Sequence, residues 1–364
     1  MDRRDTEYMQ RALRLAGRGL YTTDPNPRVG CVIVRDDRIV GEGWHQRAGE
    51  PHAEILALQQ AGDQAAGATV YVTLEPCSHH GKTPPCADAL VNAGVARVVA
   101  ALQDPNPEVA GSGFECLRKQ GIEVDSGLLE HDARAINPGF IKRMECRRPY
   151  VRVKLAMSLD GRTAMASGES QWISGEAARA DVQRLRARSS VILTGVDTVI
   201  DDDPSLTVRH TAEQLGIEGA VRQPHRVVLD TQLRMPANAK MLTLEGSTTV
   251  LTAAQRETAL GCDVVRLDAD DGRVDLNAVM NWLAEQEVNE VQVEAGATLC
   301  GALLQRELVD EIILYMAPHI MGNDARGLFN IPGLENMADR IRLEIMDIRS
   351  IGSDLRITAI PAGS

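Results

Sequence analysis

Ala68-Thr69-Val70-Tyr71-Val72-Thr73-Leu74, then Pro84 to Ala93 closed by Gly94, then Val95-Ala96-Arg97-Val98-Val99-Ala100-Ala101-Leu102: this stretch decides the fold of the front half. The outer segments are apolar, β-branched runs of strand length. Between them, Pro84-Pro85 suits a helix start and Gly94 a helix stop. Strand, helix, strand in that order predicts a parallel pair joined by a crossover helix. Working upstream, Pro51 suits a first helical turn, and Ala53 to Ala61 continue it. Val29–Val34 and Ile39–Gly43 read as a hairpin turned at Asp36-Asp37. Thr6 to Ala16 read as an amphipathic helix with Met9, Leu13 and Ala16 on one stripe, stopped by Gly17 and Gly19. The expectation is α/β with a largely covered sheet.

Within this frame stand His52-Ala53-Glu54, Pro76-Cys77 and Cys86. One imidazole and two thiolates are ligands that zinc favours. A structural zinc site closes its shell with four protein ligands, whereas a hydrolytic site keeps one position open. Three ligands beside a spare carboxylate, Glu54, is the hydrolytic pattern. A His-x-Glu with a Pro-Cys-x-x-Cys marks zinc deaminases of bases, where the Glu moves protons. Here the cysteines enclose eight residues instead of two, a variant of that signature. The competing reading is a closed structural site that takes His79 or His80 as a fourth ligand, with Glu54 only an acid placed well in a helix dipole.

The bulk numbers limit the function classes. At 364 residues, two domains are the default. No apolar run reaches membrane-spanning length, and Met1 to Asp5 lacks a signal peptide's apolar stretch, so a cytoplasmic chain off the membrane is expected. Seven cysteines favour metal ligands and buried thiols over a disulfide framework, and Cys31, Cys116, Cys262 and Cys300 are expected as buried filler. A net charge of −12 repels a polyanion, and 3% aromatic residues is too few for an obvious base-stacking platform. Both argue against nucleic acid as a partner.

Lys142 to Pro149 is a basic run read as a solvated linker, giving domains 1–146 and 147–364. A second α/β series follows. Its expected strands are Tyr150–Ala156, Val191–Thr194, Arg226–Leu229, Thr248–Thr252, Val264–Leu267, Glu290–Glu294 and Glu311–Met316. Its expected helices are Glu176–Ala187, Leu276–Glu285 and Leu299–Glu307. The apolar run from Leu343 to Ile360 fits a core strand pair or a subunit contact. No Gly-x-Gly-x-x-Gly follows a strand, so residues alone do not assign a nicotinamide site. Val291 to Glu294 running into Ala295-Gly296-Ala297-Thr298-Leu299-Cys300-Gly301 suits phosphate at a helix start, or equally close helix–sheet packing.

Pro25-Asn26-Pro27-Arg28-Val29-Gly30 and Pro76 through Cys86 resemble the deaminase half of the bifunctional riboflavin-biosynthesis deaminase/reductase family. Lys154 to Arg162, Ser170 to Ser174 and Asp202 to Arg209 resemble its reductase half, so the likeness runs from about Met9 to Ile360. It implies a cytidine-deaminase-like α/β/α domain followed by a dihydrofolate-reductase-like α/β domain. It implies zinc on His52, Cys77 and Cys86, with Glu54 moving protons, and Asn26, His45 and Lys82 as substrate contacts. It places NADPH against Ala156, Trp172, Thr198, Asp202, Thr231 and the turn Gly296, Ala297, Thr298, Leu299, Cys300, Gly301, Ala302. Ser170, Arg186, Leu206, Arg209 and Glu294 become contacts of a small phosphoribosyl pyrimidine, with Arg suited to its phosphate. Asn26 also reads as a plain turn, Trp172 as a core residue, and Lys154 as a group that positions the sugar. A homo-oligomer is expected. The implied activity is deamination of the pyrimidine, then reduction of its ribosyl group. Two alternatives stand beside it: a zinc deaminase of nucleosides or nucleic-acid bases whose second half has an unrelated role, and a binding protein with a closed zinc.

Overall fold

A computed structural model describes residues 3–78, 85–107, 109–256 and 259–363. The chain divides into two compact units, Met1–Arg148 and Pro149–Ser364.

In the first unit the elements are α1 (Arg3–Ala16), β1 (Gly30–Arg35), β2 (Arg38–Trp44), α2 (Ala53–Ala61), β3 (Thr69–Val72), α3 (Cys86–Asn92), β4 (Arg97–Ala100), α4 (Ser112–Lys119), β5 (Glu123–Ser126), α5 (Glu130–Ile136) and α6 (Pro138–Cys146). The sheet order is β2-β1-β3-β4-β5. β1 pairs antiparallel with β2 and β3, while β3, β4 and β5 run parallel. The expected crossover is therefore present. Asp36 and Asp37 both adopt positive φ, the two-residue turn whose twist matches a hairpin. One face buries Cys31, Ile33, Val70, Val72 and Val98 against α2, α3 and α4. The other buries Val32, Tyr71 and Val99 against α1, α5 and α6. The alternation along each strand thus feeds two cores.

Two expectations needed correction here. The basic run from Lys142 is not simply a linker: its first part is helical, because Pro138 starts α6 and Ile141 is buried under it. Cys116 and Cys262 are only half-buried, whereas Cys31 and Cys300 lie in the cores. Cys116 sits in α4 beside Asp88, and Cys262 is at the margin of its cluster.

The second unit contains β6 (Tyr150–Ser158), β7 (Arg162–Ala164), α7 (Glu176–Arg188), β8 (Val191–Gly195), α8 (Val196–Asp202), α9 (Ala212–Leu215), β9 (His225–Leu229), β10 (Thr248–Thr252), β11 (Asp263–Arg266), β12 (Ala269–Asp270), β13 (Arg273–Val274), α10 (Leu276–Glu285), β14 (Glu290–Val293), α11 (Ala297–Gln305), β15 (Glu311–Ala317), β16 (Arg326–Gly327), β17 (Leu343–Ile351) and β18 (Asp354–Pro361). A nine-stranded sheet runs β11-β10-β9-β8-β14-β6-β15-β18-β17. It is parallel from β11 to β15 and antiparallel from there to the edge. Val191, Leu193, Val291 and Val293 face α10 and α11, while Ile192, Val228 and Val250 face the α8 side. Helices on both faces explain why these strands read as continuous apolar runs. The Leu343–Ile360 run forms the β17–β18 hairpin, and β17 is the sheet's outer strand.

Candidate functional site

Two loops and two helix starts converge in the first unit. His52 caps α2, and Cys86 opens α3. His52 Nδ1 lies 3.6 Å from Cys77 Sγ and 3.3 Å from Cys86 Sγ. A tetrahedral ion with ordinary Zn–N and Zn–S bonds separates N from S by about 3.6 Å. The three ligand atoms all fall within 4.8 Å of one another, so the donor set fits such an ion. The Cys86 backbone N–H donates to Cys77 Sγ at 3.3 Å, and the Ala87 N–H donates to the Cys77 carbonyl. Amides at the start of α3 thus favour negative charge on Cys77. The Cys77 thiol is pushed down to about 4, chiefly by its hydrogen bond with Cys86 and then by His52, while Cys86 is driven the other way.

Glu54 stands in the first turn of α2 and is 3% exposed. Burial pushes its carboxyl up to about 7, against the pull of His52 and its bond with Cys86. His45 is buried beside His52, with the rings edge to face at 5.5 Å. His45 Nδ1 donates to the Pro51 carbonyl at 3.2 Å, which leaves Nε2 to accept from Asn26 Nδ2 at 3.0 Å. Asn26 is therefore more than a turn residue: it reaches the ring that borders the ligand histidine. Lys82, His79 and His80 lie outside the described residues.

Sequence reading missed the group that holds this loop. Glu75 is buried, and its two oxygens accept the backbone N–H groups of Asp104, Gly111, Gly113 and Phe114. It ties the strand end before Cys77 to the start of α4. A Cβ on Gly113 would sit 2.0 Å from the Pro76 carbonyl, so only glycine permits this approach. On the other side, a Cβ on Gly43 would sit 2.3 Å from the Ala53 carbonyl, which lets the start of α2 lie on β2. Asn137 holds the backbone N–H and C=O of Arg28 at 2.8 and 2.9 Å, fixing the loop that carries Asn26.

In the second unit a cavity of about 670 Å³ opens at the carboxyl ends of β8 and β9, beside the start of α11. This is where open α/β sheets take ligands. Thr231, Thr298, Leu299 and Ala302, all expected at a cofactor, line it. Gly296 caps α11 without any side-chain cap, leaving the first N–H groups of a nine-residue helix for an anion. Volume and donors fit a phosphate-bearing dinucleotide. Cys300 and Gly301 face inward instead. Cys300 is a core residue, and a Cβ on Gly301 would lie 2.2 Å from the Asn330 carbonyl. The close-packing reading thus holds for those two, while the turn before them leaves the first helical N–H groups without a side-chain cap.

Other expected residues gather in two groups. Asp202, at the end of α8, is hydrogen-bonded to the side chains of Ser170 and Gln171; burial raises its carboxyl, as does nearby Asp201, while those bonds lower it. Thr198 lies on the same short helix. Trp172 is 70% exposed, with the Arg179 guanidinium 4.8 Å over its ring, so it is not a core residue. The second group surrounds Glu294, just past β14. Arg186 grips Glu294 with two bonds of 2.7 and 2.9 Å and donates to the Thr207 carbonyl at 3.0 Å. The Arg186 fork expected for phosphate is therefore already engaged by a carboxylate. Leu206 has positive φ, and its side chain is buried with Ile192 and Val228, so its backbone is what the turn presents. Arg209 is exposed, with its backbone held by Gln183. Lys154 and Ala156 stand on β6; burial lowers the Lys154 ammonium, and Glu294 opposes that shift.

A nitrogen–sulfur–sulfur cluster with a buried acid, on a mixed sheet with parallel crossovers, defines a zinc-binding deaminase unit; the unit after it is a mostly parallel α/β sheet with a dinucleotide-sized cavity. The sequence model of the cytidine and deoxycytidylate deaminase zinc-binding region matches residues 2–102, and that of the RibD C-terminal domain matches residues 149–357. Riboflavin biosynthesis protein RibD of Escherichia coli (strain K12) is 52% identical over 366 residues, covering 98% of this chain and 100% of the relative. The Haemophilus influenzae protein of the same name is 49% identical, covering 99% and 98%. A solved structure of Acinetobacter baumannii RibD superposes with a TM-score of 0.91 at 49% identity, covering 99% of each chain. A diaminohydroxyphosphoribosylaminopyrimidine deaminase/5-amino-6-(5-phosphoribosylamino)uracil reductase from Thermotoga maritima reaches 0.86 at 32% identity, also covering 99% of each. The chain belongs to the RibD family of riboflavin biosynthesis proteins. Among the described residues, no helix is long and apolar enough to cross a membrane.

Proposed function

We propose that this chain performs two consecutive steps of riboflavin synthesis: hydrolytic deamination of a phosphoribosyl diaminopyrimidine, then NADPH-dependent reduction of its ribosyl group to ribityl. The observation that carries the first step is the buried Glu54 beside three metal-ligand side chains. His52, Cys77 and Cys86 would hold the ion. Zinc on such a site makes water reactive near neutral pH. Glu54, with its carboxyl near 7, is matched to moving two protons in turn, one from the attacking water to a ring nitrogen and a second from the adduct's new hydroxyl to the departing amine. His45 and Asn26 present a fixed polar edge beside the site for the pyrimidine.

In the second unit the uncapped start of α11 and the cavity-lining Thr231, Thr298, Leu299 and Ala302 would receive the dinucleotide. NADPH supplies the hydride. Arg186 holds Glu294 and the Thr207 backbone in place, Lys154 feels the charge of that carboxylate, and Arg209 is free to meet the substrate phosphate. Seven free cysteines, two of them placed as metal ligands, suit a reducing compartment, which supports the cytoplasm as the site of action. We further propose that a second copy covers β17, an edge strand that exposes Leu343, Ile345, Met346 and Ile348.

Glu54→Gln tests the first step. The variant is expected to keep its zinc and to reduce the deaminated substrate with NADPH, while releasing no ammonia from the diaminopyrimidine. Release at the parent rate removes Glu54 from proton transfer. Ammonia release from cytidine by the parent protein would favour a nucleoside deaminase instead.

A further inference from the structure

Three guanidinium groups line the cavity of the second unit: Arg234, Arg273 and Arg306. Two are neutralised. Arg234 donates to Asp197 at 2.5 Å, and Arg306 donates to Asp270 at 2.9 Å. Among the described residues, the Arg273 side chain has no carboxylate or hydrogen-bond partner. It stands exposed on β13, which pairs with β12 across Asp271-Gly272, two residues of positive φ. This small hairpin is fastened at both feet. The Val274 N–H donates to Thr231 Oγ1 at 3.3 Å, and Arg306 holds Asp270. Thr231, expected as a direct cofactor contact, thus also anchors the element that carries Arg273.

A phosphorylated dinucleotide brings two kinds of anion to such a cavity. Its pyrophosphate matches the uncapped N–H groups of α11. A phosphate monoester on its ribose is close to dianionic and calls for a cation that no carboxylate has claimed. Sites for the unphosphorylated dinucleotide instead aim an acid at the free ribose hydroxyl. The hairpin carries one group of each kind, Arg273 and Asp271, both on the cavity lining. Asp271 stands on the turn itself, whereas Arg273 stands on the strand paired to a neutralised Asp270. We propose that Arg273 binds the phosphate on the adenosine ribose and thereby sets NADPH over NADH. The inference rests on reading this cavity as the dinucleotide site.

The test uses the full chain and two probes, adenosine 2′,5′-bisphosphate and adenosine 5′-diphosphate, titrated by calorimetry. Arg273→Ala is expected to weaken the bisphosphate about tenfold or more, the loss of one charge-assisted phosphate contact. The diphosphate should change less than twofold, and the thermal midpoint should hold because the side chain is exposed. Arg273→Lys should recover part of the loss. In turnover, the ratio of kcat/KM for NADPH to that for NADH should fall in parallel. Equal weakening of both probes, or no change in either, overturns the role of Arg273, as does a ratio that moves only in Asp271→Asn. If the parent protein binds neither probe, the dinucleotide reading of the cavity fails, and the inference falls with it.

Discussion

Glu294→Gln should remove a stabilising charge whose size can be worked out. Burial alone would raise the Glu294 carboxyl, but the Arg186 charge and its two hydrogen bonds, then Lys154 and Gln292, hold it at about 2. Against an ordinary value of 4.5, that is roughly 2.5 units, and at 1.36 kcal/mol per unit it corresponds to about 3 kcal/mol. The pair is buried enough that solvent screening takes little of this. The carboxylate is depressed, so its contribution is complete above the unfolded value near 4.5 and is lost as pH falls towards 2. The amide variant lacks the contribution at every pH and leaves the Arg186 charge unanswered. Urea unfolding at pH 7 should therefore show the variant less stable by about 3 kcal/mol or slightly more. The gap should narrow steadily below pH 4.5. A Trp44→Phe background leaves Trp172 and Trp282, both in the second unit, as the fluorescent reporters. If parent and variant lose stability in parallel between pH 6 and 3, Glu294 is not the depressed group and the argument fails.

Gly113→Ala should gain from helix propensity, yet it puts a methyl 2.0 Å from the Pro76 carbonyl. We expect a net loss of about 1–3 kcal/mol in the first unit and a lower zinc content by metal analysis. Unchanged zinc and stability would mean that α4 does not brace the Cys77 loop. Stripping zinc with a chelator should lower the melting point of the first unit and leave the second, which carries none of the three ligands, where it was. A calorimetric trace in which both transitions fall together contradicts this.

The sheets were legible because each strand's apolar run is local. β10, α2 and α10 begin and end where the residue pattern places them, since each is bounded by its own apolar period and cap. His52 and Glu54 were legible because they lie two residues apart at a helix start, His52 as its cap and Glu54 in its first turn, with Pro51 just ahead of the cap. The illegible parts depend on distance along the chain. Glu75 looks like any acid before a proline; its partners are backbone N–H groups 29 to 39 residues further on. Arg186 carries no sign that Glu294, 108 residues away, will take its fork. The Lys142–Pro149 run shows only its charge, while the helix under it is set by Pro138 and by Ile141 turning inward. The hairpin at Asp271-Gly272 is too short and too polar to compete with the longer strands on either side.

The two units set a buried glutamate in opposite surroundings, and the surroundings decide what each can do. Glu54 has one imidazole and two sulfurs near it and no guanidinium bond, so burial dominates and its carboxyl sits near 7. At neutral pH it gains and loses a proton at little cost, which is what a shuttle requires. Glu294 meets a guanidinium in bidentate contact and a lysine nearby, so its carboxyl sits near 2 and it remains an anion throughout the working range. A group so held cannot carry a proton at pH 7. It can fix Arg186, through it the Thr207 turn, and oppose the lowering that burial imposes on the Lys154 ammonium. Pairs of acids whose environments push them apart identify proton carrier and fixed charge without reference to any substrate. That contrast supports the proposed proton transfer by Glu54 in the first unit, and in the second unit Glu294 holds the Arg186 guanidinium.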